Sequence, residues 1–99
     1  MIDYIIAGSS DLKETADLEN HCNVIKSTFQ NIRVKCIIKH PNDWVPYLNE
    51  ICLIYGFKEK HNPICFTPKG DLIGSSEQFI QMIEKNFGYK KLPKSKFQH

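Results

Sequence analysis

The strongest nucleophiles in this 99-residue chain are four cysteines, Cys22, Cys36, Cys52 and Cys65. No two of them are spaced C-x-x-C, the arrangement in which one thiolate attacks a disulfide and its neighbour resolves the product. Each falls within an apolar pattern, where a free cysteine behaves as a small hydrophobe, so all four read as reduced core thiols. Cys36-x-x-x-His40 and His61-x-x-x-Cys65 bring together thiolate and imidazole, the ligands zinc prefers. Their spacing matches no zinc finger, and the strand pattern already requires both cysteines, so no metal is expected. Ser9-Ser10-Asp11 stands between a strand and a helix, where phosphate-binding loops sit. With one glycine before it and no Gly-Lys-Ser, a P-loop is excluded and helix capping is the expected role.

The elements that would position these residues follow from the apolar spacing. Asp3–Ala7 is a short apolar run closed by Gly8 and reads as a buried strand. Asp11, with Glu14 three residues on, predicts a capping box. Leu18, Cys22, Ile25 and Phe29 then mark one face of a helix running to about Gln30. Arg33–Lys39 alternates, with Val34, Cys36 and Ile38 on one face and Ile37 on the other, and reads as a second strand. Asp43 is the expected N-cap of a second helix, with Pro46 in its first turn. Trp44, Leu48, Ile51, Cys52 and Tyr55 line that helix, and Gly56 ends it. Aromatic residues on this stripe read as packing.

Pro63–Thr67 predicts a third strand, and the Pro68–Asp71 turn joins it to a short fourth, Leu72–Gly74. Ser75 with Gln78 is a second capping-box match. Phe79, Ile80, Ile83 and Phe87 then describe a last helix ending at Gly88. The order is β-α-β-α-β-β-α. The first unit must be a right-handed crossover with parallel strands, and the last two strands form an antiparallel hairpin. Helices one and three are expected on one face of a four-stranded mixed sheet and helix two on the other, an α/β architecture.

Composition bounds the rest. The length fits one domain with a core that needs no staples. The expected domain is 1–88, followed by a basic tail or linker over 89–99. Lys90, Lys91, Lys94 and Lys96 fall in that tail. Without these four of the 13 basic residues, nine remain against 11 acidic ones, so the body carries −2 although the whole chain carries +2. A slightly acidic body leaves no electrostatic footprint for nucleic acid. No apolar run is long enough to span a membrane, and the N-terminus lacks a basic region, so neither a membrane span nor a signal peptide is expected. A cytoplasmic protein with reduced thiols follows. The tail lysines read as a solvated linker; gripping an acidic partner is the alternative.

Asn62-Pro63 opening a strand, the Pro-Lys-Gly-Asp hairpin, and Leu72-Ile73-Gly74-Ser75-Ser76-Glu77 opening the last helix resemble glutaredoxins, over about residues 2 to 88. The resemblance implies a thioredoxin-like fold and a cis peptide before Pro63. It also implies a glutathione or anion site formed by Asn62, Pro63, Gly74, Ser75, Ser76 and Glu77, where unpaired helix-terminal amides would hold a carboxylate. The segments IIAG, HPNDWVPYLNEIC and HNPICF are similar to the small N-terminal domain of the malate dehydrogenase 1B type. That likeness implies a domain preceding a dehydrogenase, a protein partner, an axonemal one among the expectations, and a cytoplasmic or ciliary location.

The chain departs from glutaredoxins at the redox site. Their reactive cysteines stand where this chain has Leu12-Lys13-Glu14-Thr15, and leucine has no nucleophilic atom, so Leu12, Thr15 and Pro63 form a pseudo-active site. No catalytic residue and no cofactor are expected there, and the reading is a binding or docking module. A glutathione-linked redox protein using a non-standard site is the alternative.

Overall fold

The structure is a computed structural model, and it describes residues 1–89. Its elements run β1 (Ile2–Ser9), α1 (Lys13–Thr28), β2 (Ile32–Lys39), α2 (Pro41–Tyr55), β3 (Ile64–Phe66), β4 (Leu72–Gly74) and α3 (Ser76–Phe87). The seven elements come in the order expected. The sheet order is β2-β1-β3-β4. β1 pairs parallel with β2 along its whole length and antiparallel with β3, which pairs antiparallel with β4. This is a four-stranded mixed sheet in the thioredoxin-like arrangement.

The period-2 alternation of β1 builds two cores, one on each side of the sheet. Tyr4 and Ile6 point to one face, where they meet Leu18, Cys22 and Ile25 of α1 and Phe79, Ile80 and Ile83 of α3. Ala7 points to the other face, with Ile64 and Phe66 of β3, against Trp44, Leu48, Ile51 and Cys52 of α2. Tyr47 and Tyr55 pack partly buried around that second core. Helices one and three therefore share a face and helix two covers the opposite one, as the apolar stripes require. Val34 and Cys36 join the first core and Ile37 the second, while Ile38, near the end of edge strand β2, stays 39% exposed.

Two helix starts differ from expectation. Asp11 does not cap α1. Its carboxylate accepts from the Ser9 hydroxyl, and the N-cap is Leu12, which makes no side-chain cap bond. The far end is also shorter than expected: Phe29 is already extended, and the Ser27 and Thr28 hydroxyls bond the carbonyls of Asn23 and Val24. α2 begins two residues before Asp43. Pro41 takes the first helical position, where its fixed φ is pre-organised, and His40 Nδ1 accepts the Asn42 amide at 3.1 Å. Pro46 thus lies beyond the first turn, and the Asn42 carbonyl has no helical N–H to accept from, on a face open to water. The start of α3 is as expected: Ser75 and Gln78 form a complete capping box.

The described chain ends by returning to α1. Tyr89 is 7% exposed and its hydroxyl lies 2.7 Å from His21 Nδ1, so this residue belongs to the folded body. The lysines of the expected tail lie outside the described residues. Among the described residues no helix is long and apolar enough to cross a membrane.

Candidate functional site

At the C-terminal end of β1 the chain crosses into α1 beside the loop that leads into β3. The Asn62–Pro63 peptide bond there is cis, as expected. The Asn62 side-chain carbonyl accepts the Ser9 amide at 3.0 Å, pinning the end of β1 to that loop. Pro63 is buried, and so are Gly8, Ser9 and Thr15. These groups meet closely. A Cβ added at Gly8 would lie 2.5 Å from Thr15 Oγ1, 2.8 Å from Thr15 Cγ2 and 3.0 Å from Pro63 Cβ. Glycine is the residue that lets α1 and the Pro63 loop close over the strand end.

The structure therefore brings Leu12, Thr15, Asn62 and Pro63 to one corner. Thr15 is 3% exposed, and its hydroxyl is buried with no hydrogen-bond partner. Leu12 sits in extended geometry at the head of α1, partly exposed. Neither side chain is a nucleophile for disulfide chemistry. What the corner offers is an apolar side chain bordered by exposed Asp11, Lys13 and Glu14.

Gly74–Glu77 opens α3 at the end of β4, but the amides there are partly spoken for. The Ser75 N–H donates to Gln78 Oε1 at 2.8 Å, and the Gln78 N–H donates to Ser75 Oγ at 3.4 Å. Gly74 has a φ of 126°, and a Cβ there would fall 2.0 Å from Gln78 Oε1. The capping box thus occupies space and donors that a bound carboxylate would need.

The four zinc-type residues are dispersed. His40 caps α2, His61 Nε2 contacts Glu59 Oε1 at 2.9 Å, and Cys36 and Cys65 face the first core. Among the described residues no group of three or more His, Cys, Asp or Glu is placed to hold a metal ion. A shallow depression of about 430 Å³ lies at the other end of β1 and β2, lined by Asp3, Arg33 and Lys35 among others, and includes none of the corner residues. There the Arg33 guanidinium grips both Asp3 oxygens, at 2.6 and 3.0 Å, and holds that carboxyl below its usual range.

Two features of the corner were invisible in the sequence. The need for glycine at Gly8 arises from residues 15 and 63, and the Asn62 bond to the Ser9 amide spans the whole middle of the chain. Replacing Gly8 with alanine is expected to destabilise the domain by about 1–3 kcal/mol, the usual cost of overpacking. Urea denaturation of the two chains checks this. Equal midpoints would mean that Thr15 and Pro63 yield freely.

Fold and site together define a small thioredoxin-like α/β domain with no thiol at the head of its first helix. The chain belongs to the family described as the Putative malate dehydrogenase 1B N-terminal domain, which matches residues 3–97. It is 29% identical to Putative malate dehydrogenase 1B of Branchiostoma floridae, over 89% of this chain and 18% of that protein. It is 22% identical to the Bos taurus protein of the same name, over 89% of this chain and 20% of the relative. The chain thus spans about a fifth of the length of these curated relatives. No solved structure matches it. None of these matches is to a glutaredoxin.

Proposed function

We propose that this domain is a non-catalytic docking module of a malate dehydrogenase 1B-like protein, presenting the Leu12 corner to a protein partner. The observation that carries the reading is the head of α1. Three good capping residues, Ser9, Ser10 and Asp11, precede it, yet the helix starts on Leu12, which cannot cap. Leucine at an N-cap forgoes about 1 kcal/mol that serine or aspartate would supply. Positions where a local rule is broken are where functional demand is expected. Here the broken rule leaves a partly exposed apolar side chain beside a tightly packed, thiol-free corner.

The matched domain is about a fifth of its relatives, so the first partner to try is the remainder of such a protein. In this reading the module works in the cytoplasm or a cilium, with an axonemal partner as the second to try. The test is association of the 99-residue chain with the Branchiostoma floridae protein expressed without its matched N-terminal domain, followed by calorimetry. That protein's own N-terminal domain is the positive control. If the control binds and this chain does not, the reading fails.

A companion expectation concerns chemistry. With Leu12 and Thr15 at the expected cysteine positions, glutathione-dependent reduction of a small mixed disulfide should run at the uncatalysed rate. Turnover that disappears on a Cys→Ser change at Cys22, Cys36, Cys52 or Cys65 would overturn the non-catalytic assignment and favour a redox protein with a non-standard site.

A further inference from the structure

Away from the Leu12 corner, the two edges of the sheet are unequal. β4 closes one edge and is three residues long. β2 forms the other, runs for eight residues and contains no proline. No bulge interrupts its register with β1. Among the described residues no strand pairs with its outer side. The hydrogen bonds fix which of its residues face outward. The Ile2 amide donates to the Asn31 carbonyl and the Ser10 amide to the Lys39 carbonyl, both at 2.8 Å. In a parallel ladder this turns the N–H and C=O of every odd-numbered residue from Asn31 to Lys39 towards β1. Val34, Cys36 and Ile38 turn theirs away from the sheet, as an open ladder on which another strand can form.

The side chains along this edge alternate in chemistry as well as in direction. Val34, Cys36 and Ile38 lie on the α1 side, with Cys36 partly exposed and Ile38 39% exposed. Arg33, Lys35 and Lys39 lie on the α2 side with Ile37. Arg33 is held by Asp3, but Lys35 is exposed and Lys39 lies 4.9 Å from the Tyr47 ring centroid. Among the described residues neither lysine forms an ion pair. The charges rule on who can pair here. β2 carries three basic residues and no acid. Antiparallel pairing with a second copy about Cys36 sets Arg33 opposite Lys39. A shift of the centre by one residue sets Lys35 opposite Lys35 in one direction and opposite Lys39 in the other. Like charges directly opposite are destabilising, so the edge resists its own copy in each register. The same lysines attract a strand with acids at alternate positions.

We propose that the outer edge of β2 receives an extended acidic segment of another protein, added antiparallel as a further strand of the sheet. Its backbone pairs with the N–H and C=O groups of Val34, Cys36 and Ile38. Its acidic side chains lie opposite Lys35 and Lys39, and the apolar ones between them cover Cys36 and Ile38. The main-chain bonds then supply affinity, and the alternate side chains supply specificity. The antiparallel direction is the more stable per residue. This surface shares no residue with the Leu12 corner, so the docking reading can fail there without touching the proposal.

The test is amide hydrogen exchange of the 99-residue chain, read residue by residue by NMR. The probe is a short end-capped peptide alternating valine and glutamate, at millimolar concentration. In the free chain the Val34, Cys36 and Ile38 amides should exchange faster than those of Lys35 and Ile37, which bond to β1. Near saturation the peptide should slow the outward three roughly tenfold and leave the inward two unchanged. A valine–lysine peptide should have no effect, and neither should the valine–glutamate peptide N-methylated on its bonding edge. Lys35→Glu, at an exposed position, should weaken binding of the valine–glutamate peptide roughly threefold or more. No slowing of the outward amides, or equal slowing by the lysine peptide, overturns the proposal. So does slowing of those amides with chain concentration alone, which would make a second copy the occupant. If Lys35→Glu fails to fold, the three peptides on the unsubstituted chain still decide.

Discussion

Truncating Phe79 to alanine is expected to cost about 3–5 kcal/mol, the range for removing a fully buried aromatic side chain. Phe79 is 0% exposed and sits where the two helices of the first face meet the sheet. Its ring lies edge-on to Tyr4, with centroids 5.5 Å apart at 80°, an arrangement that adds to the area it buries. The same core holds Leu18, Cys22 and Ile25 from α1, so the cavity would open between α1, α3 and β1 together. Domains of this size are stable by about 5–15 kcal/mol, so the loss is a large share of the total. Urea denaturation followed by far-UV circular dichroism measures it. The contrast is Leu53→Ala on the outer face of α2: Leu53 is 85% exposed, and its loss should stay within about ±0.5 kcal/mol. A Phe79→Ala chain as stable as its parent would mean that α3 does not close this core.

What was legible in the sequence divides by how far apart the deciding residues stand. The stripes Leu18-Cys22-Ile25 and Trp44-Leu48-Ile51-Cys52 specified two helices, and the alternation of β1 and β2 specified two faces. With the right-handed crossover, these placed α1 and α3 together and α2 opposite. The Ser75–Gln78 capping box was readable because its whole mechanism fits in one turn. The head of α1 was not. Asp11 has the chemistry of a cap, but its carboxylate is held by Ser9, whose amide in turn is held by Asn62. The start of α2 was missed because imidazole is an uncommon cap and Pro46 suggested a later first turn.

The cysteines show the same limit from the other side. Their burial followed from the apolar pattern, and Cys22 and Cys65 are indeed fully buried. That Cys36 remains partly open depends on its place on an edge strand. No spacing along the chain encodes that exposure. The site residues divide likewise. Leu12, Thr15 and Pro63 were placed together through the family resemblance, while the glycine that lets them close was visible only in three dimensions.

Changing Leu12 to aspartate should separate docking from stability, because the two effects have opposite causes. At the N-cap, aspartate can accept an amide of the first turn and place a negative charge at the positive end of α1, worth about 1 kcal/mol. Against this stand the loss of the leucine's partial burial and the nearby acidic residues Asp11 and Glu14. The melting temperature should therefore be unchanged or raised by a few degrees, at roughly 4–8 °C per kcal/mol for a domain this size. A partner that buries Leu12 loses an apolar contact of about 1.5–3 kcal/mol. Association should then weaken by roughly 10- to 100-fold, since about 1.4 kcal/mol is a factor of ten. Calorimetry against the truncated Branchiostoma floridae protein and a thermal melt of the variant give both numbers from one preparation. A variant that melts no lower than its parent yet binds far more weakly identifies the Leu12 corner as the docking surface. Unchanged affinity removes the corner from the interface and turns attention to the lysines between residues 90 and 96. Ionic strength then tells the two apart. Contacts through lysine charges weaken markedly as the screening length falls below about 10 Å above 0.1 M salt, whereas a contact through a leucine does not.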